Sequence, residues 1–137
     1  MSDPKIKVVE EVAITEFERM CDANRIEHDT STLDDDEKRE WLALRDPIVR
    51  DIMHGQLVID TSGRPVYTPD VGKPITFNQA TGATLIALET HGKGKDVSNM
   101  VAAMADMTGT GKGDFSRLGV RDFQACGRIA RLFLADR

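Results

Sequence analysis

Apolar side chains from Val9 onward recur at the three-and-four spacing that puts them on one face of an α-helix: Val12, Ala13, Phe17, Met20 and Cys21. The period stops near Asn24, and residues 25–31 carry none. Thr32 followed by Asp35 has the form of a capping box, and Asp34, Asp35, Asp36 and Glu37 crowd carboxylates into the turn it opens. There each complements the positive end of the helix dipole by about 0.3–1 kcal/mol. The helix carries Trp41, Leu42 and Leu44 up to Asp46-Pro47. Proline lacks an amide hydrogen and clashes with the preceding turn. Asp46 as cap and Pro47 at the first helical position therefore start a new helix, with Ile48, Ile52 and Met53 apolar and Val49 beside them. Whether 33–45 and 47–54 are two helices or one kinked helix is open at this level. Gly55 supplies a left-handed end, and residues 1–8 form a loose tail or short edge strand.

Beyond Gly55 the pattern changes. Residues 56–60 and 64–68 are β-prone runs around Thr61-Ser62-Gly63, which predicts a hairpin. Pro65 and Pro69 require its second strand to be an edge or very short. Residues 74–77 are a third extended piece. Gly82 opens a helix with Leu85, Ile86 and Leu88 apolar, and two glycines and two lysines make residues 91–95 a loop. Asp96 caps a helix whose Val97, Met100, Val101, Met104 and Met107 fall on one stripe. The run 109–113 breaks it, and Asp114 caps a short turn. After Gly119 the last helix turns Val120, Phe123, Cys126, Ile129, Ala130 and Phe133 inward, with Leu132 and Leu134 flanking that stripe. The predicted fold class is α+β, mostly α: a small helical bundle with one β-hairpin and a short extra strand. One domain, 1–137, is expected, with an acidic helical preface over 1–55, hairpin and strand over 56–77, and a C-terminal helical bundle over 78–137.

Composition narrows the function classes. With 40% hydrophobic and 30% charged residues, the 137-residue chain is that of a soluble globular domain. A net charge of −5 argues against a nucleic-acid or anionic-membrane surface. Arg117, Arg121, Arg128 and Arg131 nevertheless fall close together, read as a solvated helix face ahead of a site for an acidic partner. Cys21 and Cys126 lie in helical patterns and read as buried thiols. No apolar run approaches the ~18 residues of a membrane span, and the N-terminus lacks a signal-peptide core. The expectation is a reduced, cytoplasmic protein.

Three runs invite chemical readings that their spacing does not support. Residues 109–113, Gly-Thr-Gly-Lys-Gly, have Asp106 where a phosphate loop needs its first glycine and Gly113 where it needs a hydroxyl. A helix-helix turn accounts for them. Asp29, Ser31 and Glu40 echo a calcium loop, but Leu33 and Asp34 occupy its fifth and sixth positions, where an oxygen ligand and a glycine are required. Asp60-Thr61-Ser62-Gly63 echoes an aspartic-protease run but fits a hairpin turn better. His28, His54 and His91 have no metal-binding spacing. No catalytic site, cofactor or metal is expected, and the protein is read as a non-enzyme.

Residues 73–135 resemble the tail assembly chaperones of tailed bacteriophages. The resemblance rests on the extended run from Ile75 through Thr81-Gly82-Ala83 into a helix, on a helix closing in Met107-Thr108-Gly109, and on the step from Leu118 to Asp122-Phe123 entering the final apolar helix. Gln79-Ala80 departs from the Arg-Pro that more usually precedes Thr-Gly in that family. The resemblance implies a protein that binds the tape measure protein, keeps it soluble and recruits tail tube subunits in the host cytoplasm, without nucleic acid or membrane. Met100, Met104 and Met107 read first as core filling and second as an adaptable binding face. On the second reading Met100, Met104, Met107, Leu132, Phe133 and Leu134 are the candidate protein-binding residues, because Met and Leu faces suit helix-in-groove docking. Self-association into a homo-oligomer is the other way to cover such a face. A structural virion component (a head–tail or tube adaptor) and a small helical adaptor binding through 29–40 are the competing expectations.

Overall fold

The computed structural model describes residues 6–135. Its order is α1 (Glu10–Ala23), α2 (Asp35–Met53), β1 (Leu57–Ile59), β2 (Pro65–Tyr67), β3 (Ile75–Thr76), α3 (Gly82–Ala87), α4 (Asp96–Thr108), α5 (Lys112–Ser116) and α6 (Val120–Leu134). The protein is α+β and mostly α, with a small antiparallel sheet. Of the tail expected over 1–8, residues 1–5 lie outside the described residues. Lys7 and Val8 both donate their amides to the Met53 carbonyl at 2.8 and 3.1 Å, which ties the start of the chain to the end of α2.

α1 buries Ala13, Phe17, Met20 and Cys21, whereas Val12 faces outward. The cap of α2 is Asp34 rather than Thr32. Its carboxylate accepts the Glu37 amide at 2.8 Å, and the Glu37 carboxylate accepts the Asp34 amide at 3.1 Å. The box thus sits two residues later than the sequence suggests, because both Asp34 and Thr32 have an acidic residue three positions on. α2 also runs unbroken through Pro47, so no new helix starts at Asp46. The carbonyl that Pro47 leaves without a donor belongs to Ala43, which is exposed, and water can hydrate it. At the other end Gly55 has φ 78°, and Gln56 and Gly55 donate to the carbonyls of Asp51 and Ile52. This is the left-handed termination expected there.

The hairpin pairs Leu57 with Tyr67 and Ile59 with Pro65, and β3 adds beside β2. β2 is therefore central despite its proline. It is only three residues long, and Pro65, at its end, still accepts the Phe77 amide through its carbonyl at 3.0 Å. Leu57, Ile59, Pro65, Tyr67 and Ile75 are buried on the sheet. Arg19 of α1 donates to the carbonyls of Ile59 and Asp60, both at 2.9 Å, holding the hairpin turn against the helix. Gly63 in that turn has φ 85°, and a Cβ there would collide with the Ala23 methyl. Only glycine serves both demands.

The C-terminal helices do not form a bundle with a core of its own. One hydrophobic cluster joins Phe17, Met20, Trp41, Ile48 and Ile52 to Met104, Met107, Phe115, Ile129 and Leu132. Phe17 and Trp41 meet edge to face, ring centres 6.0 Å apart. The preface expected over 1–55 is thus structurally integral, because α6 needs α2 to cover its buried face. Several local expectations shift as well. Lys95 rather than Asp96 precedes α4, and Asp114 lies inside α5, where its carboxylate accepts the Gly111 amide at 3.2 Å. Leu85 and Ile86 of α3 are 58% and 73% exposed, and α3 instead buries Thr84, whose hydroxyl donates to the Asp106 carboxylate.

Candidate protein-docking face

The six residues singled out for client binding do not share one surface. Met104, Met107 and Leu132 are completely enclosed in the core, while Met100, Phe133 and Leu134 are half-buried. The correction is largest for Leu132, expected beside the inward stripe and found within it. Helix α6 packs between α2 and α4, so apolar residues on more than one of its flanks are covered.

A surface opening with docking character lies between α4 and α6. Val97 and Met100 of α4 face Phe123, Gly127 and Arg131 of α6 across a groove of about 350 Å³. Val97 is 67% exposed although it begins the apolar stripe of α4. The first turn of that helix projects past the edge of the core, so the stripe runs from a dry end at Met104 and Met107 to a wet end at Val97 and Met100. Asp96 and Arg131 stand on the lips of the groove.

Polar contacts beneath α6 fix where it sits. Asp122, in its first turn, is buried and accepts the Tyr67 hydroxyl at 2.6 Å and the Asp70 amide at 3.1 Å. Six residues on, the Arg128 guanidinium lies 3.6 Å from the Asp51 carboxylate of α2. Burial raises the pKa of Asp51, and the charge and hydrogen bonding of Arg128 partly offset this. Burial likewise pushes Tyr67 above its ordinary value, with the Asp122 hydrogen bond adding to it. Cys126 is pushed up to about 12, first by burial and then by the charges of Asp122 and Asp51. A thiol so disfavoured as thiolate is a packing group, not a nucleophile. Asp122 is four residues before Cys126 on the inward face, and an aspartate on an apolar stripe was the available signal for this network. Its partners Tyr67 and Asp51 carried no such sign.

The other runs take local structural roles. Asp60 accepts the amides of Ser62 and Arg64 and pairs with the Arg64 side chain at 3.0 Å, which closes the hairpin turn. Backbone and side-chain hydrogen bonding hold its carboxyl below the usual range. Asp29 accepts the Ser31 amide in a short turn. Gly109 ends α4 with φ 69°, and residues 109–111 lead directly into α5. His28 sits 2.8 Å from Asp22 and 3.7 Å from Glu18. Arg117, Arg121 and Arg131 are exposed, whereas Arg128 is drawn in towards Asp51. The acidic start of α2 borders a recess of about 560 Å³ lined by Glu37, Glu40, Trp41 and Leu44. Among the described residues no group of His, Cys, Asp and Glu is arranged to hold a metal ion, and no helix is long and apolar enough to cross a membrane. No family model, curated protein or solved structure matches the chain.

Proposed function

We propose that this protein is a tail assembly chaperone of a tailed bacteriophage. It acts by binding, not catalysis: it holds the tape measure protein soluble in the host cytoplasm and recruits tail tube subunits to it. The observation that carries this reading is the apolar groove between α4 and α6, which lies within the 73–135 stretch that bears the family resemblance. A long helical client with an apolar face must be shielded until tube subunits enclose it. A shallow groove lined by Met100 and Phe123, with exposed Val97 beside them, supplies reversible apolar contact of that kind.

Co-expression tests it. The tape measure protein of the same phage, produced alone, is expected in the insoluble fraction; produced with this protein, it is expected in the supernatant as a complex that survives gel filtration. An unchanged insoluble fraction would contradict the proposal.

A further inference from the structure

Gly127 stands in the middle of α6, where glycine weakens a helix relative to alanine. Glycine in such a place usually makes room for something packed against it. Here, a Cβ at position 127 would meet no atom within 4 Å beyond its chain neighbours and the helix's own backbone. No neighbouring side chain in this protein accounts for the missing methyl. Yet Gly127 lines the α4–α6 groove, between Phe123 and Arg131 on the same flank of α6. The groove therefore has Gly127, itself a buried residue, on its floor with no side chain over it, apolar walls from Val97, Met100 and Phe123, and Arg131 and Asp96 on its two lips.

Each feature points to the same occupant. Side-chain bulk at the crossing point sets how near two helix axes can come, so bare backbone admits a second helix at short range. The apolar walls suit the i, i+3, i+4 face of an amphipathic helix. Arg131 is exposed, and its Nε reaches back only 3.5 Å to the Gly127 carbonyl, which keeps the guanidinium over the groove. On its own lip Arg131 favours a carboxylate on the incoming helix, and Asp96 on the opposite lip favours a cation there.

We propose that the α4–α6 groove is the client site, and that its occupant is an amphipathic helix of the tape measure protein which crosses α6 at Gly127 through a small residue and sets a carboxylate beside Arg131. This rests on the chaperone reading above and deepens it by naming the site and the chemistry of the bound segment.

The test uses the full chain and tape measure protein held soluble by fusion to a carrier protein, with binding read as a dissociation constant and folding as a melting temperature. Gly127→Ala is the decisive variant, because a structural role and a docking role predict opposite outcomes. Alanine fits the free protein and favours the helix, so the melting temperature should rise by a few degrees, while client affinity falls about tenfold. Val97→Asp and Arg131→Glu should each weaken binding at least tenfold, with Arg131→Glu losing most of its effect at high salt. Val58→Asp, on the exposed side of β1, should bind as wild type. If wild type binds the client and Gly127→Ala and Val97→Asp bind it equally well, the groove assignment fails and the chaperone reading stands. If wild type does not bind the client, both fail. If these variants instead separate a wild-type dimer into monomers while leaving client affinity unchanged, the occupant is a second copy of this chain and the assignment is overturned.

Discussion

The contact between Tyr67 and Asp122 shows how much of this fold depends on one buried polar pair. Asp122 is enclosed, and its two oxygens are met by a hydroxyl at 2.6 Å and an amide at 3.1 Å. Tyr67→Phe removes one donor without changing shape, and a buried acceptor left short of a partner costs about 1–3 kcal/mol. The urea midpoint should fall accordingly, with far-UV circular dichroism unchanged before the transition. The same neighbourhood makes stability sensitive to alkali. The Cys126 thiol ionises near 9.0 in its ordinary setting and at about 12 when folded, and Tyr67 is shifted in the same direction. Both folded pKa values are raised, so the stability they contribute is complete below the unfolded values and is lost as pH rises towards the folded ones. Unfolding should release protons above pH 9. The urea midpoint should drop between about pH 9 and 11, and Cys126→Ala should flatten that drop. At this scale the sequence was legible where a residue's role is local: Gly55 as a left-handed cap, Cys126 as a buried thiol. The partners of Asp122 lie more than fifty residues away, and no spacing rule reaches them.

Elements were easier to predict than their edges or their faces. Apolar period places α1, α4 and α6, because 3.6-residue repetition averages over many positions and tolerates single errors. It also finds α2 but divides it at Pro47, through which the helix runs on. Edges depend on one hydrogen bond each, and the acidic run before α2 offered more than one way to build a cap. The choice is testable: Asp34→Ala should cost about 1 kcal/mol, while Thr32→Ala should leave the denaturation midpoint unchanged. Equal losses would mean that the cap alternates between the two. Faces went astray where an apolar stripe meets the edge of the core. Val97, Leu85 and Ile86 carry helical apolar spacing yet face outward, since a period gives the face of a helix but not what lies opposite it. The candidate site was legible only to this extent. The stripe of α4 was visible in the sequence, but its division into a buried end at Met104 and Met107 and an open end at Val97 and Met100 was not.

For the whole molecule, the packing of the N-terminal helices is what the sequence leaves open and the structure supplies. The resemblance covers 73–135, yet the core of that region is completed by Phe17, Met20, Ile48 and Ile52. Arg128 and Asp122 each bind partners contributed from the first half of the chain, Asp51 and Tyr67 respectively. A fragment comprising residues 73–137 should therefore show no cooperative thermal transition, whereas the full chain should unfold in one step. The groove, by contrast, is assembled from α4 and α6 alone, so the first half supports the site without lining it. That division suits a binding protein whose client sits on one side and whose stability comes from the other. The most direct test of the account is made in cells producing the phage. This protein is tagged, its co-purifying partners are identified by mass spectrometry, and finished particles are probed for it. A chaperone should bring down tape measure and tail tube proteins in the purified complex and be absent from particles. Stoichiometric presence in the particles would contradict the chaperone reading and make the protein a structural component of the virion.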